Sequence, residues 1–144
     1  MQHWELLCPG GLSFVCDDGL FQPSTDSFLL GSFPRLKPGL RVCDLGSGTG
    51  LLGLLLFQRQ RALSITGVEL LPDAVLRAAR SETGCTLEDI CTAAAWLLRW
   101  GGSFCLVHKP ERLADLCCAL RARGLEPKRL RLVCRRAGDA PSLL

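Results

Sequence analysis

The chain has 144 residues, a net charge of +3 at pH 7, and 48% apolar against 22% charged residues. This balance excludes a disordered or low-complexity chain, and the length suits about one domain with its own core. The longest apolar run, residues 51–57, is too short to cross a membrane. The first residues lack the basic start and apolar run of a signal peptide, so we expect a cytoplasmic protein.

Nine cysteines raise the question of a disulfide scaffold or a metal site. Their number is odd, their spacing is irregular, no Cys-x-x-Cys pair occurs, and His3 and His108 are the only histidines. These features argue against both a disulfide framework and a zinc site. We therefore expect buried free thiols, as in a reducing compartment, and no metal.

The first 39 residues predict an irregular lead-in followed by a short helix. Residues 12–15 are suited to one arm of a small hairpin. The polar residues 24–26 precede an apolar stretch and can cap a helix, which Pro34 and then Pro38 would end.

The middle of the chain predicts a strand, a glycine turn and a buried helix, followed by a second strand. The strand covers residues 40–45, the turn 46–50 and the helix 51–57, with a solvated end at 58–61. Residues 64–69 are rich in β-branched side chains, and Pro72 suits the first turn of a further helix reaching about residue 80.

The last third predicts two helices and two strands. Thr86 and Asp89 have the spacing of a capping box for a helix that ends at the glycine pair 101–102. A strand is expected over 103–108, a helix from Pro110 to Gly124, and a strand over 129–134. Alternating strands and helices predict an α/β protein with a parallel sheet covered by helices.

The segment Asp44-Leu45-Gly46-Ser47-Gly48-Thr49-Gly50 carries the chemistry. A chain that turns sharply from strand to helix and presents bare backbone to a ligand requires glycine. Glu69 follows the second predicted strand, 25 residues after Asp44, and a carboxylate there can accept hydrogen bonds from both ribose hydroxyls. The two features together predict a nucleoside cofactor across the strand ends.

Three alternatives remain for this turn. A carboxylate two positions before the first glycine suits the ammonium of S-adenosylmethionine (SAM) and would repel a pyrophosphate. Gly48, Gly50 and Gly53 also match a dinucleotide fingerprint, although a lone match is weak. The third alternative is a glycine turn that binds nothing.

The Asp-Leu-Gly-Ser-Gly-Thr-Gly run resembles motif I of class I SAM-dependent methyltransferases. Its surroundings resemble the bacterial tRNA(Val) adenine-N6 methyltransferases, in the segments FQPSTDSFLL (21–30), CTLED (85–89), LVHKPERL (106–113) and LEPKRLR (125–131). The resemblance runs from about residue 10 to residue 144. It implies a Rossmann-like methyltransferase domain over residues 40–144 after the lead-in of 1–39, with methyl transfer from SAM to an adenine amino group of tRNA.

The resemblance also implies which residues bind each ligand. The cofactor would be held at its methionine end by the turn and at its ribose by Glu69, with Asp26 near the entrance; the set is Asp26, Asp44, Gly46, Ser47, Gly48, Gly50 and Glu69. Residues 109–136 contain nine Lys or Arg against three acids, which suits RNA phosphates or a solvated helix and strand face. The RNA-binding candidates are Lys109, Arg112, Lys128, Arg129 and Arg131.

The resemblance is incomplete where the base would be held. Such enzymes carry an Asn-Pro-Pro-Tyr motif at the end of the fourth strand, and this chain has no Asn, no Tyr and no Pro-Pro pair. Only 33 residues separate Glu69 from Ser103, where the family places strands three and four, so we expect a join near 77–83. The final residues stop where the family would begin another strand.

These losses predict a reduced sheet in which residues 40–45 pair directly with 103–108, and a chain impaired in methyl transfer. We assign no catalytic residue. His108 is either a general base or a polar residue at a strand end, and one histidine without a partner does not make a catalytic site. Since Trp96 and Trp100 are expected around a core helix, the sequence shows no surface on which RNA bases would stack.

Overall fold

The computed structural model describes residues 2–7, 11–17, 24–69 and 85–144. The chain divides into two compact units, Met1–Arg80 and Ser81–Leu144, with the boundary inside the range where the sequence predicts a join. The described residues form two two-stranded sheets and four α-helices, a mixed α/β composition. The helix predicted over 72–80 lies outside the described residues.

The first unit begins with an antiparallel hairpin of β1 (Gln2–Leu6) and β2 (Ser13–Asp17). The amide of Leu7 donates to the carbonyl of Leu12 at 2.9 Å, which closes the hairpin beyond the ladder. The hairpin arm predicted over 12–15 is confirmed, whereas the lead-in before it is not irregular as predicted, since residues 2–6 form the other strand.

Two helices of this unit, α1 (Thr25–Ser32) and α2 (Leu51–Arg59), pack against each other at a glycine. A Cβ on Gly31 would lie 3.2 Å from Cβ of Leu55, so only a small residue allows this approach. The Arg59 guanidinium donates to the carbonyls of Gly31 and Pro34 and thereby ties the end of α1 to the end of α2. The predicted helix before Pro34 is confirmed.

The two strands that flank α2, β3 (Arg41–Leu45) and β4 (Ser64–Val68), pair in parallel with Asp44 opposite Gly67. Parallel neighbours need a crossover, and α2 supplies it. Leu51 and Leu56 are buried on α2, and Gly53 lets the helix lie close to Ile65 on β4. The predicted strand, turn, helix and strand over 40–69 are confirmed.

The second unit has its core between α3 (Leu87–Leu97) and α4 (Leu113–Ala122), which follows a 3-10 turn at Pro110–Arg112. Gly124, at a φ of 72°, ends α4 as predicted. Both predicted helices are confirmed, but α3 ends at Leu97 and not at the glycine pair 101–102, because Leu98 is already extended. The buried residues of the core are Cys91, Leu116, Ala119 and Leu120.

The strands predicted over 103–108 and 129–134 are wrong. Phe104 and Leu106 alternate onto the core as a strand would, but this segment has no ladder among the described residues, and its end pairs through His108 with Leu144 in both directions at 3.0 Å. In the second segment, a single bridge joins Val133 to Leu143. The pairing of 103–108 with 40–45 therefore loses its basis, since alternation can bury side chains without a neighbouring strand.

Two expectations about side chains are also corrected. Among the seven cysteines whose side chains are described, all are free thiols, but only Cys91 is buried and four are exposed. Burial raises the pKa of the Cys91 thiol. Trp96 is 84% exposed because Cys91 and Ala94 supply the buried face of α3, and Trp100, which follows the helix, is 103% exposed. None of the described helices is long and apolar enough to span a membrane.

The capping box at the start of α3 gives a first testable prediction. The Asp89 amide donates to Oγ1 of Thr86 at 3.2 Å, and the Thr86 amide donates to Oδ2 of Asp89 at 2.9 Å. Replacing Thr86 with Ala should lower the free energy of unfolding by about 1 kcal/mol in urea denaturation. The matched control is Thr92→Ala, because the Thr92 hydroxyl only donates to a carbonyl of its own helix. Equal losses in the two variants would contradict the role of the cap.

The same cap makes stability depend on acid. The hydrogen bonds from Thr86 lower the pKa of Asp89 below its ordinary value of 3.8. A lowered carboxylate pKa stabilises the folded chain above that ordinary value, and this contribution is lost as the pH falls through the lowered pKa. The difference between the native chain and Thr86→Ala should therefore shrink below about pH 3.8.

Candidate cofactor-binding site

Three glycines shape the turn between β3 and α2. Gly46, Gly48 and Gly50 have φ values of 75°, 51° and 78°, in the left-handed region that strongly favours glycine. Among the described residues, a Cβ at any of the three would meet no atom within 4 Å beyond its chain neighbours. The prediction that this turn needs glycine is thus explained by the backbone angle.

The turn is attached to the end of β4 by its backbone. The amides of Gly46 and Ser47 both donate to the Val68 carbonyl, at 2.8 and 3.1 Å. The Gly50 amide donates to the Ser47 carbonyl at 2.7 Å, which closes the turn before α2 begins. These bonds fix the turn at the carboxyl ends of two parallel strands, where open α/β sheets bind their ligands.

Gly67 contributes to this attachment, and the sequence reasoning missed it. A Cβ on Gly67 would lie 2.7 Å from Oγ and 2.9 Å from Cβ of Ser47, so the turn can approach β4 only at a glycine. The available signal was a glycine inside a β-branched strand, which often marks a close approach of another part of the backbone.

Glu69 and the glycine turn meet, as the sequence predicts. The Gly48 amide donates to Oε2 of Glu69 at 2.9 Å. The exposed carboxylate thus holds the centre of the turn.

Asp44 supplies a second carboxylate at the same strand ends. The residue is only 7% exposed, and its Oδ2 atom has no hydrogen-bond partner among the described residues. Burial raises the pKa of Asp44, and the charge of Glu69 raises it further. A buried acceptor next to a second negative charge favours a cationic donor and disfavours a pyrophosphate.

Asp26 and the five basic candidates lie outside the segment that contains Asp44, the glycine turn and Glu69. Asp26 lies partly buried in the first turn of α1, and its position near a cofactor stays a prediction. The five basic candidates belong to the second unit, whereas every cofactor candidate belongs to the first. Their RNA contacts stay predictions as well.

The basic candidates differ in their surroundings. Lys109 and Lys128 are exposed. Arg112 forms an ion pair with Asp115 at 2.6 Å. Arg129 interacts with the Cys105 thiol: burial raises the pKa of this thiol, and the arginine partly offsets that rise. Among the residues that the structure describes, no group of three or more His, Cys, Asp or Glu side chains could hold a metal ion.

Comparison with known proteins identifies what the chain is similar to. No protein-family model matches it. The tRNA1(Val) (adenine(37)-N6)-methyltransferase of Dickeya chrysanthemi is 40% identical over 75 residues, which is 48% of this chain and 30% of the relative. The enzyme of the same name from Shewanella halifaxensis is 32% identical over 99 residues, 69% of this chain and 31% of the relative.

A third relative of that name, from Tolumonas auensis, is 46% identical over 55 residues, 38% of this chain and 23% of the relative. The chain resembles the tRNA1(Val) adenine-N6 methyltransferases. It spans less than a third of the length of these curated relatives. The resemblance stated from the sequence is confirmed.

Proposed function

We propose that residues 41–69 form a SAM-binding site of a reduced, Rossmann-like class I methyltransferase domain. The observation that carries this proposal is the buried Oδ2 of Asp44, which has no hydrogen-bond partner in the described part of the chain, beside a glycine turn held by Glu69. Asp44 would accept hydrogen bonds from the ligand ammonium, Glu69 from the ribose hydroxyls, and the glycine turn would lie against the methionine chain. Asp26 would lie at the entrance.

The charge of this site supports SAM over the two alternatives. A dinucleotide would bring a pyrophosphate against two carboxylates, one of which, Asp44, already has its pKa raised by burial and by the charge of Glu69. A turn that binds nothing would leave Oδ2 of Asp44 buried without a hydrogen bond from any described residue, and a buried unsatisfied acceptor costs free energy. A cationic, hydroxyl-bearing ligand removes both costs.

The reaction that the relatives' names describe is methyl transfer to an adenine amino group of tRNA. We propose the same substrate class for this chain, with RNA phosphates bound by Lys109, Arg112, Lys128, Arg129 and Arg131. When bound, SAM supplies an activated methyl group on a sulfonium. The residues of this chain would bind and orient the cofactor, and catalysis of such a step consists mostly of positioning.

We propose that this chain by itself transfers the methyl group poorly or not at all. The sequence lacks Asn, Tyr and a Pro-Pro pair. It therefore lacks the Asn-Pro-Pro-Tyr motif that would hold the target base in the methyltransferases it resembles. The alternatives are a non-catalytic remnant that binds SAM or RNA, an enzyme whose missing motif comes from another chain, and a fragment that does not fold stably.

Thermal unfolding with SAM is the decisive experiment. A ligand at about 100 times its dissociation constant should stabilise the native chain by about 2.7 kcal/mol, and NAD at the same concentration should not. Calorimetric titration then gives the SAM affinity directly. Stabilisation by NAD alone, or by neither ligand at millimolar concentration, would contradict the proposed cofactor.

Transfer of tritiated methyl groups to unmodified tRNA separates the remaining alternatives. The purified chain that binds SAM should give no incorporation above the protein-free blank. Incorporation by the chain alone would overturn the proposed inactivity. Incorporation only after addition of a cell extract would favour a second chain that supplies the missing motif, and a non-cooperative unfolding profile would favour the unstable fragment.

A further inference from the structure

Two tryptophans are exposed to solvent, Trp96 in the last turn of α3 and Trp100 in the turn that follows the helix. Trp96 and Trp100 are 84% and 103% exposed. Cys91 and Ala94 form the buried face of the helix, and a residue two positions after Ala94 lies about 200° around the helix from it. The indole of Trp96 is therefore directed away from the core by the helix period itself.

Trp100 lies on a tight turn that fixes its backbone. The Gly102 amide donates to the Arg99 carbonyl at 2.8 Å, and Gly101 has a φ of 77°, a combination typical of a type II turn with Trp100 at its second position. A Cβ on Gly102 would lie 2.9 Å from the Arg99 carbonyl oxygen. The turn is thus closed by glycines that larger residues cannot replace without strain.

The charge around these tryptophans selects a partner. Arg99 lies between them in the sequence and is exposed, and the unit that carries them contains the basic stretch 109–136, with nine Lys or Arg against three acids. Exposed aromatic side chains close in sequence to an exposed arginine, in a basic part of the chain, are features found where proteins bind single-stranded nucleic acid by stacking of bases and attraction of phosphates.

We propose that Trp96, Trp100 and Arg99 form a base-stacking surface for single-stranded RNA. The choice of RNA over DNA rests on the proposed function, whereas the location rests on exposure and charge alone. The surface would hold unpaired bases of the RNA. Because the chain contains no tyrosine, the two tryptophans would supply the aromatic rings on which these bases stack.

Fluorescence anisotropy with a labelled 12-nucleotide single-stranded RNA tests the proposal on the full chain without SAM. Trp96→Ala and Trp100→Ala should each weaken binding about 5- to 100-fold, and Trp→Phe at the same positions should retain most of the affinity. The matched control is Trp4→Ala, since Trp4 is 73% exposed on β1 of the other unit and should not affect binding. Inorganic polyphosphate and duplex RNA should bind all variants equally.

Each alternative outcome counts against the stacking surface. Native-like RNA affinity in both alanine variants, absent RNA binding by the native chain, or an equal loss for polyphosphate would overturn it. Loss of a concentration-dependent dimer in sedimentation, with RNA affinity unchanged, would assign the tryptophans to a protein interface. Because stabilisation by SAM is measured separately, failure of the cofactor site leaves this result interpretable.

Discussion

Asn in place of Asp44 should weaken SAM binding by about 30-fold or more while it stabilises the cofactor-free chain. The Oδ2 atom of Asp44 is buried and has no hydrogen-bond partner among the described residues, and removing one member of a buried charge pair costs about 2 kcal/mol or more. Calorimetric titration of SAM into the native chain and Asp44→Asn measures the loss. Native-like affinity in the variant would remove Asp44 from the cofactor site.

The stabilising half of this prediction depends on pH. Burial and the charge of Glu69 raise the pKa of Asp44, so its contribution to stability is fully present below the ordinary carboxyl pKa and is lost as the pH rises through the raised value. Asp44→Asn should therefore exceed the native chain in free energy of unfolding at pH 7, and this advantage should disappear in acid. Urea denaturation between pH 4 and pH 8 measures it, with the exposed Asp139→Asn as control.

Ala in place of Gly67 should displace the glycine turn and weaken SAM binding. The added Cβ would lie 2.7 Å from Oγ and 2.9 Å from Cβ of Ser47, and overpacking of this kind costs about 1–3 kcal/mol. We expect a loss of that size in the free energy of unfolding and a fall in SAM affinity of about tenfold. Both are measured on the same purified variant, by urea denaturation and by calorimetric titration.

Two further variants make the Gly67 experiment specific. Ser47→Gly removes the atoms that the new Cβ would meet, so the double variant should recover SAM affinity relative to Gly67→Ala, as a non-additive pair in contact does. Gly53→Ala is the matched control, because its Cβ would make only a 3.4 Å contact with Ile65 and alanine favours a helix. Equal losses for Gly53→Ala and Gly67→Ala, or no recovery in the double variant, would contradict a contact between Ser47 and residue 67.

The first unit could be predicted from the sequence because its signals are local. The strand, glycine turn, helix and second strand follow each other within residues 40–69, and each boundary carries its own residue signal, such as Gly46 after β3. The meeting of Glu69 with the turn also followed, since the carboxyl ends of parallel strands lie at one edge of a sheet. Gly67 was missed because a glycine in a strand does not state which group approaches it.

The second unit could be predicted only for its helices. The apolar period of α4 and the capping pair Thr86 and Asp89 are properties of single segments. A strand needs a neighbour, and the alternation of Phe104 and Leu106 could not reveal that their segment lacks one among the described residues. The exposure of Trp96 and Trp100 was missed for a related reason, since an apolar residue type does not show which face of a helix the core covers.

The bond between Gly48 and Glu69 spans only 21 positions of the chain. Closing a loop of that length costs little more entropy than closing a much shorter one, because the cost grows with the logarithm of loop length. Structures rich in such near-sequence contacts assemble quickly. We therefore expect the strand–helix–strand segment to gain amide-exchange protection early in refolding, ahead of contacts that join distant parts of the chain. The proposed cofactor site would then form before the rest of the molecule has folded.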